Sequence, residues 1–116
     1  MRLFYNDYVT DLAASALTAL TVISGYPVTN IQDQRLAIVY RSSTPTSQTI
    51  TINLGAAQGI TAIALLGHNI STAATILAAS ASSDSWAGAT TETLIHNVGP
   101  IVKFITAKTF QWWQFQ

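Results

Sequence analysis

The sequence predicts an all-β protein, an antiparallel sandwich or barrel, and three observations carry that expectation. Residues 48–54 alternate with period two, placing Ile50, Ile52 and Leu54 on one side and Thr49, Thr51 and Asn53 on the other. A second apolar run, 60–66, starts beyond the Gly55 and Gly59 pair and stops at Gly67-His68-Asn69, a turn-forming tripeptide. Short runs of this kind then recur at intervals of about ten residues, punctuated by Gly, Ser and Pro. Two adjacent strands at 50–54 and 60–66, the second apolar on both faces, need a packed sheet, because a lone hairpin is marginal in water.

Taken in order, Leu3, Phe4 and Tyr5 form a short aromatic strand candidate that ends at Asn6-Asp7. The next segment carries a conflict. Val9, Leu12, Ala13, Ala16, Leu17 and Leu20 fall at helical spacing, and Asp7 is placed to cap a helix over 8–20. The β-branched Thr18, Thr21, Val22 and Ile23, stopped by Ser24-Gly25-Tyr26-Pro27, favour instead a strand over 17–23 preceded by a loop. The β-rich remainder tips the choice to the strand. Residues 27–34 read as a loop and lead into a short strand that ends at Tyr40; a polar turn occupies 42–47. A strand is expected over 71–80, a loop over 80–91 and a short strand over 93–96. Segments 101–105 and 110–116 close what is expected to be a single domain spanning 1–116. A chain that stops inside a strand leaves room for further residues beyond Gln116.

Composition narrows the function. Hydrophobic residues make up 49% of the chain and charged ones only 9%, where roughly 25% is usual. Thr, Ser, Gln, Asn and Ala must therefore cover the surface, which protects it poorly against association. Five bases balance five acids, so the electrostatic footprint of a nucleic-acid binder is missing. Without cysteine there is neither a disulfide framework nor a thiolate metal site. An acid at Asp7 interrupts the start before any leader-like apolar run, and 12–23 is too short and too threonine-rich to span a bilayer. The expectation is a soluble chain made in a cytoplasm, with no membrane partner.

Few residues are candidates for chemistry. His68 and His96 are the two histidines, with no HxH or HxxxH spacing and therefore no expected zinc. At a strand end, His68 reads as a hydrogen-bonded turn residue. Asp7 and Asp11 would share a helix face, but turn or cap roles account for both. Asp33 reads as an Asx-turn residue paired with Arg35. Gly55, Gly59 and Gly67 are turn glycines, since no Lys-Ser/Thr helix follows them to make a phosphate cradle. Trp112 and Trp113 are adjacent on a strand and must face opposite sides; register decides which enters the core. Trp86 in its small-residue loop, Trp112 and Trp113 are the candidate interface anchors.

The order GYPVTNIQD, IVYRS, ITINLGAAQGITAIALLGHN and FQWWQFQ resembles the discoidin-like group, also called coagulation factor 5/8 type C or galactose-binding-like. The resemblance runs from about Gly25 to Phe115, and its Gly-His-Asn version is most similar to small proteins of tailed bacteriophages. It implies an eight-stranded antiparallel jelly roll whose loops at one end bind sugars or other partners, with calcium in some members and no other cofactor. Asp33 and Arg35, with Trp86, are the residues it offers for glycan binding, although relatives usually carry Arg where Gln111 and Gln114 flank the tryptophans here. The expectation is a non-enzymatic structural protein of a phage virion, in the tail, baseplate, fibre attachment or capsid decoration. It would bury its charge-poor faces against copies of itself and other virion proteins. The alternative is a carbohydrate-binding module for host surface glycans.

Overall fold

The computed structural model describes residues 8–33, 35, 38–96 and 98–116. Among them lie five strands: β1 (Leu17–Ala19), β2 (Ile50–Leu65), β3 (Ile76–Ala81), β4 (Thr90–Leu94) and β5 (Ile101–Phe115). All pairings are antiparallel, in the order β1-β2-β5-β3-β4. The all-β class expected from the sequence is the class observed.

The two long strands make the sandwich. A straight 15-residue strand would span about 50 Å, yet the molecule measures 33 × 32 × 27 Å, so β5 must bend. Register shifts mark where it does. Between the pairs Asn53/Trp112 and Gln58/Phe110, β2 spends Leu54, Gly55, Ala56 and Ala57 against a single residue, Gln111. Between Ile60/Lys108 and Ala62/Phe104 the excess passes to β5, with Ile105, Thr106 and Ala107 opposite Thr61. Such bulges kink a ribbon and strengthen its twist. Gly55 supplies the backbone for the first, at φ 77°, and its N–H donates to Asn53 Oδ1 at 2.9 Å. The far halves of β2 and β5 thereby fold over the near halves. Lys103 on the far half of β5 reaches Glu92 on β4, two strands away from β5's near half, with Nζ–Oε2 2.7 Å.

Between the layers lie Leu17, Ile52, Ile63, Ile76, Leu94, Ile101 and Trp113, each under 6% exposed. Burying an aliphatic side chain of this size contributes about 1.5–3 kcal/mol. Strand β3 is covered on both faces, and its Ala78, Ala79 and Ser80 are small enough to let β4 and β5 close in. The 3₁₀ turn Val28–Gln32 plugs one edge with Val28, while Gln32 Nε2 donates to the carbonyls of Val9 and Leu12 at 2.9 and 2.8 Å.

Several sequence expectations change in detail. The runs 50–54 and 60–66 are one continuous strand, because the glycine-bracketed stretch is a bulge rather than a turn. Segments 101–105 and 110–116 are likewise a single strand, β5. The conflict before Pro27 resolves to a 3₁₀ turn, Ala14–Ala16, and a strand of three residues, because Leu20 onward peels away into loop. Among the described residues before and at Tyr40, 35 and 38–40, none is in a strand. The Tyr40 hydroxyl donates instead to Thr21 O at 2.8 Å, and side-chain bonds such as Asn30 Nδ2 to Val39 O hold the loop. Strand β3 starts at Ile76 rather than at 71, and β4 spans Thr90–Leu94 rather than 93–96. The candidate strand at Leu3, Phe4 and Tyr5, and Asp7, lie outside the described residues. Among the described residues five strands stand where the resemblance implies eight; β2 and β5 each serve both layers.

Candidate functional site

The β3–β4 hairpin closes through residues 82–89, an unusually small and hydroxylated loop. Its shape is set locally. Ser85 N donates to Ser83 O at 2.7 Å, and Ala89 N to Trp86 O at 3.2 Å. Gly88, at φ 77°, occupies the third position of that second turn, where an L side chain is strained. Trp86 is half-buried, and its Nε1 donates to Asp84 Oδ1 at 3.2 Å, which fixes the indole at the rim. Beside the loop runs an open groove of about 200 Å³, lined by Ser82, Ser83, Ser85, Thr90 and, from β5, Phe110. Phe110 stands where β2 bulges away, so the register shift that bends the sandwich also presents this ring. Hydroxyls beside an aromatic ring suit a ligand that alternates C–H and O–H surface.

The structure does not bring the remaining sequence candidates to this groove. Asp33 and Arg35 follow the 3₁₀ turn that packs against β1, whereas Trp86 belongs to the β3–β4 hairpin at the other side of the sheet. Three strand spacings, about 14 Å, separate β1 from β3. Asp33 is the Asx-turn residue expected: its Oδ1 accepts from Arg35 N at 2.9 Å. The Arg35 guanidinium grips both carboxylate oxygens, with Nε–Oδ1 3.0 Å and Nη2–Oδ2 2.6 Å. That grip lowers the Asp33 carboxyl to about 2. Arg35 remains largely exposed, but its partner is satisfied within the turn. Among the described residues, no three His, Cys, Asp or Glu side chains converge on a point.

Of the adjacent tryptophans, Trp113 is the inward one at 4% exposure, which removes it from the surface anchors named from sequence. Its position opposite Ile52 and Ser80 puts it between the layers, and its Nε1 is buried without a hydrogen-bond partner. Trp112 is half-buried and shares its strand face with Phe110. The flanking glutamines are structural. Gln114 Nε2 donates to Thr51 Oγ1 at 3.0 Å and Gln111 Nε2 to Asn53 Oδ1 at 2.9 Å, each tying β5 to β2.

At the opposite end of the β3–β4 hairpin the two histidines meet. Their rings pack edge-to-face at 5.8 Å. His68 Nε2 donates to Gly99 O at 3.0 Å while its Nδ1 accepts from Ile70 N at 3.3 Å; His96 Nε2 donates to Ile70 O at 2.8 Å. His68 is thus the hydrogen-bonded turn residue the sequence suggested, and the pair clasps the loop after β2 to the loop after β4.

No family model matches the chain, and no curated protein does. Solved structures do. The lectin domain of lectinolysin, complexed with Lewis B antigen, superposes with TM-score 0.75 at 10% identity, over 97% of this chain and 86% of that one. A chitosan-binding module in complex with chitotriose, from a Paenibacillus sp. IK-5 chitosanase/glucanase, gives 0.68 at 20% identity over 86% and 80%. The family 32 carbohydrate-binding module of Clostridium perfringens NanJ, in complex with galactose, gives 0.65 at 14% over 88% and 82%. The fold is a galactose-binding-like jelly roll. These neighbours are binding modules rather than catalytic domains, though some are carried by enzymes.

Phe110 and the serines of the groove were not singled out from the sequence. The available signal was a lone tryptophan, Trp86, directly after the run Ser82-Ser83-Asp84-Ser85, since such a run has no core to serve.

Proposed function

We propose that this chain is a non-enzymatic carbohydrate-binding module that holds a neutral sugar in the groove beside the β3–β4 hairpin. The observation that carries the reading is the placement of the Phe110 ring beside serine and threonine hydroxyls, with Trp86 on the same hairpin loop, on a fold whose neighbours include structures with bound sugars. One sugar ring is the scale of the groove, which lies below the ~300–1,000 Å³ of drug-sized pockets. Among the described residues no Lys or Arg lines it, which disfavours sialic and uronic acids.

A glycan array of the recombinant chain, with calcium present and then chelated, tests this reading. Saturable binding to a neutral sugar class, lost in Trp86→Ala or Phe110→Ala, supports it. A blank array from folded protein overturns it.

A second reading, assembly within a tailed-phage virion, rests on the Gly-His-Asn resemblance and on a chain only 9% charged. The sequence ranks that role first; the structural neighbours favour glycan binding. The two are compatible where a multi-copy particle displays a binding module.

A further inference from the structure

The end of the hairpin remote from the groove carries an apolar surface of different character. Ile95 is 86% exposed, Val98 85% and Leu66 69%, and Ile70 and Val102 are also exposed. Leu66 and Ile70 follow β2, Ile95 and Val98 follow β4, and the histidine bonds to Gly99 O and Ile70 O join the two loops. Val102 extends the surface onto the sheet, paired with the exposed Ala64. Lys103, next in sequence, points the other way to Glu92, so strand alternation keeps its charge off this face.

We propose that this face is the interface of a twofold homodimer, independent of the glycan reading. An uncharged apolar surface has its complement in a second copy of itself, with no charge left unpaired on either side. Zero net charge removes the long-range repulsion that would otherwise oppose pairing of identical chains. The exposed fractions of these five residues amount to roughly 600 Å² per copy, so a symmetric pair buries at most about 1,200 Å² from them, at the lower end for specific complexes. The dimer leaves both hairpin tips facing outward and so presents two grooves.

Sedimentation equilibrium of the 116-residue chain from about 1 to 500 µM brackets the micromolar dissociation expected of so small an interface. Ile95→Asp with Val98→Asp weakens association at least tenfold, with far-UV circular dichroism and groove binding unchanged. If the aspartates unfold the protein, Val98→Thr, nearly isosteric, still weakens association. The chain has no cysteine, so on mild oxidation a lone Ile95→Cys forms a disulfide-linked dimer much faster than a lone Ser83→Cys at the other end of the hairpin if the two copies meet at this face. A monomer across the whole range, or association unaffected by the variants, overturns the proposal.

Discussion

The two ends of the β3–β4 hairpin share one ladder and present opposite chemistry. Six residues of β3, about 20 Å, separate them. The tip is hydroxylated and small, with alanines and Phe110 as the apolar part of its groove and Trp86 on the loop between Ser85 and Ala87. The base is aliphatic, with Ile95 and Val98 almost bare. Their means of support differ as well. Bonds between residues two or three apart, with the turn at Gly88, shape the tip. The base is closed by histidine bonds that span 31 and 26 residues. A tip built from local bonds keeps its shape whenever the hairpin forms. The base has its shape only once the whole domain has closed.

The largest expected effect removes what both ends rest on. Trp113→Ala empties the space between the layers and costs about 3–5 kcal/mol, read as a drop in the urea midpoint. Trp113→Phe is much milder. It loses part of the ring but also removes a buried N–H that has no partner, a group that costs about 1–3 kcal/mol when left unsatisfied. If the two variants were equally destabilised, the indole N–H would have to be satisfied in solution.

The next effect separates the ends. His68→Ala deletes both bonds that this ring makes, to Gly99 O and from Ile70 N, and costs about 1–2 kcal/mol. Exchange of the Ile70 amide accelerates, while the amides of Ser85 and Ala89 keep their protection. Equal loss of protection at the tip would mean that the two ends are not independently supported.

This contrast also explains what the sequence disclosed. Alternation at 50–54 marked the near half of β2, because one-sided burial leaves a period-two record. The Gly55–Gly59 stretch did not disclose that it was a bulge, since glycines punctuate turns and bulges alike and only pairing with β5 distinguishes them. The inward tryptophan was undecidable for the same reason: adjacent residues on a strand are equivalent until register is fixed. Trp86 was visible as a candidate because its loop is locally encoded, whereas Phe110 joins the groove through a register shift far away in sequence. Asp33 and Arg35 were correctly read as a turn and an ion pair. Their distance from Trp86 is a property of strand order, which single residues do not carry.

A smaller effect tests the tip alone. Trp86→Ala weakens sugar binding about tenfold or more, measured by titration calorimetry, with little change in thermal midpoint because the ring sits at the rim. The His68→Ala variant binds the sugar as the wild type does. Should His68→Ala abolish binding and Trp86→Ala leave it intact, the groove would be at the wrong end of the hairpin.

The smallest effect concerns the tie between layers that keeps the two ends in register. Glu92 on β4 accepts from Lys103 Nζ at 2.7 Å and lies 3.2 Å from Lys108 Nζ. Hydrogen bonds from Lys103 first, and then Lys108, hold its carboxyl below its ordinary value of 4.5. The folded state therefore releases this proton more readily than the unfolded chain. The tie contributes at full strength above the unfolded value and is lost as pH falls through the lower folded one. Glu92→Gln removes this dependence. The thermal midpoints of wild type and variant should differ most near neutral pH, with the wild type higher, and converge in acid once the folded-state carboxyl is protonated. Because the three side chains are partly solvated, the gap is small and narrows with added salt. A gap that persisted unchanged in acid would mean that Glu92 acts through packing rather than through charge.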